Sequence, residues 1–316
     1  MKKIILVGAG VMAIDYHKVL THLKINFDVV GRGEITANAF HEKTGKMPFV
    51  GGLDSYLKKF TIEKGTFAIV ATGTEYLLKS LFLLFNAGVE KILIEKPAAI
   101  SIDELLDSEE SLRPYFDKVF VAYNRRFYQS VQTAERLIAE DGGIKTMHFE
   151  FTEWSHLITD APILAEVKAN WFFVNSTHVI DTAFFLAGKP KQMTAFSQEG
   201  NLGWHKFTNF TGAGITDNGV LFSYFSNWES AGRWVIELLT NKRRIIFKPL
   251  EGLLIQEKGS VEQTVYEFDD AIDKEFKPGI FQQVSHFVNH KYDRFLTIDQ
   301  HILNCRNIYQ KILGDK

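Results

Sequence analysis

The sequence predicts an α/β domain with a doubly wound parallel sheet, followed by an α+β domain whose open, mostly antiparallel sheet is flanked by helices. Three observations predict it. Over roughly the first 120 residues, short apolar runs alternate with helix-like stretches. A glycine pair closes the first run and opens the first helix. In the second half the apolar residues switch to period-two alternation, and turn signals replace helical periodicity. With 316 residues, the chain suits two domains of ordinary size. The expected boundary lies near Tyr123, giving domains 1–122 and 123–316.

The elements justify themselves in order. Lys3–Val7 is a short apolar run ending in glycine, and residues 11–23 can form a helix. Residues 27–30 and 67–71 are further apolar runs. A helical stretch over 75–86 follows, with Gly88 as its stop. Lys91–Glu95 and Val119–Ala122 are the fourth and fifth runs, separated by a helix that Ser101-x-x-Glu104 opens as a capping box. After a helix over 130–140, Met147, Phe149 and Phe151 alternate with polar residues, as in a one-faced strand. Between residues 191 and 268, short apolar runs are punctuated by Asp217-Asn218-Gly219 and Lys258-Gly259, which reads as an antiparallel meander. Thr297-x-x-Gln300 reads as a second capping box that opens a last helix, running to about Ile312.

Composition narrows the function classes. Lys plus Arg total 36 against 38 for Asp plus Glu, a net charge of −2. No basic excess exists to neutralise phosphates, so nucleic acid is not an expected partner. The single cysteine, Cys305, excludes a disulfide framework and a multi-thiolate metal site, and no metal is expected. Met1-Lys2-Lys3 and the apolar residues after it imitate a signal peptide, but Gly8 and Gly10 interrupt the run and Asp15, His17 and Lys18 follow. No stretch of about 18 apolar residues exists, so no membrane span is expected and a cytoplasmic protein is the default. The 27 Phe, 10 Tyr and 5 Trp predict aromatic cores.

Gly8-Ala9-Gly10-Val11-Met12-Ala13 joins the first strand to the first helix. A dinucleotide pyrophosphate needs this arrangement: one glycine for the turn, one for close approach, then helix amide hydrogens and a partial positive charge. Gly8, Gly10, Val11 and Met12 are therefore cofactor candidates. After the second run, an NAD enzyme usually places a carboxylate for the ribose. Asp28 lies inside the run instead, and Gly31-Arg32-Gly33 follows it. A guanidinium flanked by glycines suits a 2′-phosphate and favours NADP over NAD. Glu34 stays open as an NAD candidate, and an ordinary turn arginine is the alternative. Ala71, Thr72 and Gly73, at the end of the third run, are further cofactor candidates.

Glu95-Lys96-Pro97 closes the fourth run, at the sheet edge where ligands bind. A partly desolvated lysine there can handle a hydroxyl proton; a surface turn is the bland reading. In Asn175-Ser176-Thr177-His178-Val179-Ile180-Asp181, Ser176 or Thr177 can cap an apolar helix that stops at Gly188. His178 then falls in its first turn, where the helix dipole favours neutral imidazole. Asp181 is a partner or polar support, and a satisfied structural histidine is the alternative.

Together, the glycine fingerprint, Glu95-Lys96-Pro97, Tyr123-Asn124-Arg125-Arg126 and His178-x-x-Asp181 resemble the Gfo/Idh/MocA family of oxidoreductases, along essentially the whole chain. The resemblance implies an N-terminal Rossmann domain, and a second domain whose sheet packs on a copy of itself in a homodimer or homotetramer. It implies a nicotinamide cofactor and a sugar, polyol or nucleotide-sugar substrate. Lys96 and His178 would be catalytic, Lys96 and Glu95 would contact the nicotinamide ribose, and the peptide before Pro97 would be cis. Tyr123, Arg125, Arg126, Trp154, Asn175 and His178 are the substrate candidates; His156, Trp171, His205 and Trp228 suit a sugar too, or the core. The family often has aspartate four residues before the histidine, where this chain has Val174. That departure keeps a second expectation, a non-catalytic dinucleotide-binding regulator; a glycosidase using transient oxidation by tightly held NAD is a third. Residues 149–154 with 175–181 look like a branch associated with bacterial surface-polysaccharide genes.

Overall fold

The computed structural model describes residues 3–314. Met1 and Lys2, at the head of the signal-like segment, and Asp315 and Lys316, at the end of the second expected domain, lie outside them. The chain divides into two compact units, residues 1–124 with 272–302 and residues 125–271 with 303–316.

The first unit is built on a parallel sheet of β1 (Lys3–Val7), β2 (Asn26–Val30), β3 (Phe67–Val70), β4 (Lys91–Glu95) and β5 (Val119–Ala122). Their order is β2-β1-β3-β4-β5, a doubly wound arrangement. β3 and β5 are buried along their whole length, as a sheet covered on both faces requires. The helices Val11–His22 and Leu77–Asn86 follow β1 and β3, as their periodicity predicts. Between β2 and β3 lie two helices that the sequence reading leaves unassigned, Glu34–Thr44 and Gly52–Lys59. A further strand beside β2 is reduced to one bridge, Val30 to Phe49. Pro48, next to it, has no N–H to extend a ladder. Ser101 caps its helix: its Oγ accepts from Glu104 N at 3.0 Å, while Glu104 Oε2 accepts from Ile100 N at 2.7 Å.

One boundary does not describe this chain. The first crossing falls between Asn124 and Arg125, but residues 272–302 return to the first unit. There Leu296–Thr297 forms an antiparallel edge strand on β5, with Leu296 opposite Val121. Phe287 packs on Phe67 at 5.2 Å and Phe295 on Phe120 at 5.4 Å between ring centroids. The division 1–122 and 123–316 is corrected accordingly, because a linear change of composition cannot show a chain coming back. Thr297 lies in that strand, and its buried Oγ1 makes no hydrogen bond, so the second expected capping box does not form.

The second unit holds an eight-stranded sheet of order β13-β12-β11-β10-β6-β9-β8-β7. The strands are β6 (Thr146–Glu150), β7 (Pro190–Glu199), β8 (Phe207–Thr216), β9 (Leu221–Asn227), β10 (Val235–Leu239), β11 (Arg243–Phe247), β12 (Leu254–Glu257) and β13 (Thr264–Val265). Every pair is antiparallel except β6 with β9. The meander is thus split by β6, which precedes it in the chain. One face packs on the helix Thr177–Ala187, with Phe184 5.5 Å from Phe149 and 5.1 Å from Phe222. On the outer face Phe196, Leu221 and Phe225 are 65%, 57% and 44% exposed. Phe222, Tyr224 and Trp228 are all buried. Among the described residues, no helix is long and apolar enough to cross a membrane.

Candidate active site

In the first unit, three carboxyl-end turns meet. Gly8 N donates to Val30 O at 2.8 Å and Ala71 N donates to Val7 O at 2.7 Å, tying the ends of β1, β2 and β3 together. Gly8 has φ +124°, and a Cβ there would sit 2.3 Å from Ala71 O, so only glycine fits. Gly10 is different: it precedes the helix Val11–His22, and a Cβ on it would meet nothing within 4 Å. The backbone at Gly10 is thus open where it lines a cleft. A cleft of about 770 Å³ lies here, lined by residues 8–10, 31–36, 51–54 and 71–73, with Tyr76 and Lys79. Thr72 Oγ1 is buried and has no hydrogen-bond partner. Val11 is 73% exposed, and Met12 receives a 2.9 Å contact from Lys277; neither lines the cleft.

Arg32 lies along the cleft with its guanidinium carbon 4.2 Å from the Tyr76 ring centroid. Asp28 is spent elsewhere, accepting from Tyr56 Oη at 2.5 Å and pairing with Lys3 at 2.9 Å. Glu34 opens the next helix and also lines the cleft.

At the end of β4 the Lys96–Pro97 peptide is cis, as the resemblance implied. Tyr16 Oη donates to Glu95 Oε1 at 2.7 Å. Burial pushes the Glu95 carboxyl above the ordinary glutamate range, while the Tyr16 bond and the charges of Lys96 and Lys277 pull it back. His301, fully buried, places Nε2 3.0 Å from Pro97 O. A carbonyl only accepts, so Nε2 carries the hydrogen. Tyr123 is buried, with its ring 5.6 Å from that of His301.

In the second unit, His178 is 6% exposed, with its ring 6.1 Å from that of Trp234. It does not stand at a helix start. A π-helical turn, Phe172–Ser176, runs straight into Thr177–Ala187. Neither expected cap forms: Ser176 Oγ donates to Glu153 Oε1 at 2.7 Å, and Thr177 Oγ1 donates to Phe173 O at 2.8 Å. The dipole argument for neutral imidazole loses its terminus with them. Asp181 accepts two bonds from Arg126, from Nε at 2.8 Å and Nη2 at 2.6 Å, in a buried fork.

Glu153 is the residue the sequence reading missed. Its carboxylate accepts from Asn175 Nδ2 at 2.9 Å and from Ser176, and Arg233 Nη1 lies 3.6 Å away. Burial raises this carboxyl above the ordinary range, against the pull of Ser176, Arg233, Asn175 and Trp171. Arg233 also lies over the rings of Trp154 and Trp234, at 4.5 and 4.6 Å. Trp154 is 46% exposed and donates Nε1–H to Gly232 O at 3.1 Å. Arg125 lies over Trp234 at 4.8 Å. The structure thus gathers His178, Asn175, Trp154 and Arg125 with Glu153, Arg233 and Trp234 in this unit. Trp228 and His205 pack on each other at 4.7 Å in the core, and His156 is exposed.

No family model and no curated protein sequence matches the chain. Solved structures match it along its whole length. An oxidoreductase from Agrobacterium radiobacter in complex with NAD+, L-tartaric acid and magnesium has a TM-score of 0.76 at 15% identity, over 100% of this chain and 97% of that one. A levoglucosan dehydrogenase in complex with NADH and L-sorbose has a TM-score of 0.74 at 15% identity, over 100% and 97%. An oxidoreductase from Thermotoga maritima has a TM-score of 0.75 at 15% identity, again over 100% and 97%. At these identities the likeness establishes the fold.

Proposed function

We propose that the chain is an NAD(P)-dependent oxidoreductase that passes hydride between a nicotinamide dinucleotide and a CH–OH carbon of a sugar, polyol or nucleotide-sugar, with NADP preferred. The observation that carries this reading is the glycine-lined cleft ahead of the first helix, where a side chain at Gly10 would meet nothing and Thr72 presents an unpartnered buried hydroxyl. Both features fit a phosphate-bearing ligand at a helix N-terminus. Gly8 and Gly10 would hold the pyrophosphate, Arg32 the 2′-phosphate, residues 71–73 the cleft's far wall, and Glu95 and Lys96 the nicotinamide ribose. The nicotinamide, when bound, supplies the hydride acceptor or donor. Everything else falls to the chain. His178 takes the hydroxyl proton in oxidation and returns it in reduction, and Lys96 hydrogen-bonds the reacting oxygen. We assign Arg126 and Asp181 to fixing the His178 helix, and Trp154 and Arg125 to the substrate. The fold neighbours crystallised with NAD+ or NADH and with tartaric acid or sorbose support a nicotinamide partner and a polyhydroxylated substrate.

The protein would work as a cytoplasmic homodimer or homotetramer, covering the apolar outer face of its second sheet. Val174, buried where the resembled family has a carboxylate, favours a second reading, a dinucleotide-binding regulator. Calorimetric titration with NADP and NAD, followed by absorbance assays on a sugar and polyol panel, tests both. Binding with turnover supports the enzyme. Binding without turnover on any polyol favours the regulator, and failure to bind either dinucleotide overturns both.

A further inference from the structure

We infer that the substrate carries an anionic group, a carboxylate or a phosphate, and that Arg125 and Arg233 recognise it beside the Trp234 indole. This rests on the oxidoreductase reading and names its substrate class. The argument begins with charge. Three arginines stand in this part of the second unit, Arg125, Arg126 and Arg233. Asp181 takes Nε and Nη2 of Arg126. Glu153 lies 3.6 Å from Arg233. Arg125 has no carboxylate partner among the described residues. Its guanidinium instead lies over two aromatic rings, Trp234 at 4.8 Å and Tyr128 at 5.8 Å. Neither of two further acids of this unit pairs with Arg125 among the described residues: Glu251 accepts from Tyr128 Oη at 3.5 Å, and Glu150 has no ion pair. One positive charge is left over.

The second strand of the argument is hydrogen bonding. Arg125 Nε is buried and makes no hydrogen bond, and neither does Nε1 of Trp234, a residue 8% exposed. Both groups are donors only. Buried polar groups without partners are rare in folded proteins and cost about 1–3 kcal/mol each. A ligand that satisfies them must bring acceptors. The aromatic faces make such an acceptor anionic by preference, since each stacked guanidinium keeps its N–H edge for in-plane bonds. Arg233 lies over Trp154, whose 46% exposure offers a surface for a sugar ring. A neutral polyol would give Arg125 no charged partner.

The test is a set of calorimetric titrations of the full chain with D-glucuronate, D-glucose 6-phosphate and D-glucose, each with and without saturating NADP. We expect at least one anionic sugar to bind about tenfold or more tightly than glucose, and the difference to shrink as salt rises. The better anion tells a carboxylate from a phosphate. Arg125→Met should abolish that preference while leaving NADP affinity unchanged, and Arg125→Lys should restore part of it. Arg233→Met should weaken both anions independently, which keeps the test alive should Arg125→Met fail to fold. Equal affinity for glucose, no detectable binding of either anion, or full preference in both methionine variants would overturn the inference. Anion preference in a chain that binds neither NADP nor NAD would instead strike the oxidoreductase reading and leave the anion site standing.

Discussion

Ser176 Oγ donates to Glu153 Oε1 at 2.7 Å, and the two residues are 0% and 2% exposed. A carboxylate therefore stands against the turn just ahead of His178, in the segment where Val174 replaces the aspartate of the resembled family. Burying it has a pH signature. A raised folded value means that its contribution to stability is complete below the ordinary glutamate value of 4.5 and is lost as pH rises through the raised value. Each unit of upward shift is worth about 1.4 kcal/mol. Glu153→Gln keeps an acceptor for Ser176 and removes the titration. The variant should gain on the wild type as pH rises above the ordinary value. Melting temperatures measured from about pH 4 to pH 8 decide it; parallel curves for the two proteins would show that Glu153 titrates as in the unfolded chain.

Arg32 is the cofactor discriminator to test. It lines the cleft on the Tyr76 ring, and Asp28 is tied to Tyr56 and Lys3. Losing a charge-assisted contact to a 2′-phosphate costs about 1.5–3 kcal/mol, or roughly one to two decades in affinity. Arg32→Ala should therefore weaken NADP by that much and leave NAD nearly unchanged. A wild type that prefers NAD would move the assignment to Glu34, which lines the same cleft.

The outer face of the second sheet carries a prediction about assembly. Phe196, Leu221 and Phe225 are well exposed on strands β7 and β9, and exposed apolar faces of this kind mark interaction sites. Light scattering at micromolar concentration should show a dimer or tetramer, and Phe196→Glu with Phe225→Glu should convert it to monomer without unfolding it. A wild type that is already monomeric removes the proposal.

How much of this was legible in the residues depends on sequence distance. β1, β4 and β5 keep their expected bounds, because a buried parallel strand is a short apolar run whatever surrounds it. The Gly8 turn was legible for the same reason, since the strain is local. The return of residues 272–302 was not, because its cause is Phe287 meeting Phe67 across the chain. Glu153 escaped notice because it lies past the end of β6, where alternation no longer assigns a side, and its partners are 22 and 23 residues away. The capping role expected of Ser176 failed for a related reason: a distant carboxylate claimed its hydroxyl.

The catalytic roles proposed for Lys96 and His178 separate an enzyme from a regulator. Positioned acid–base catalysis contributes about 10²–10⁴-fold, so His178→Ala and Lys96→Ala should each lower kcat by that factor. Groups acting on one proton act as a unit, so the double variant should be little worse than the more damaging single one. NADP affinity should survive His178→Ala, while Lys96→Ala weakens it through the lost ribose contact. Val174→Asp adds a discriminating measurement. Val174 is 8% exposed in an apolar stretch, so an aspartate there would bury a second carboxyl in a segment that already packs against Glu153. It should lower the melting temperature without raising turnover. A gain in kcat from Val174→Asp would mean that the proton route lacks a carboxylate at position 174, and unchanged kcat in His178→Ala would move the proton to another group.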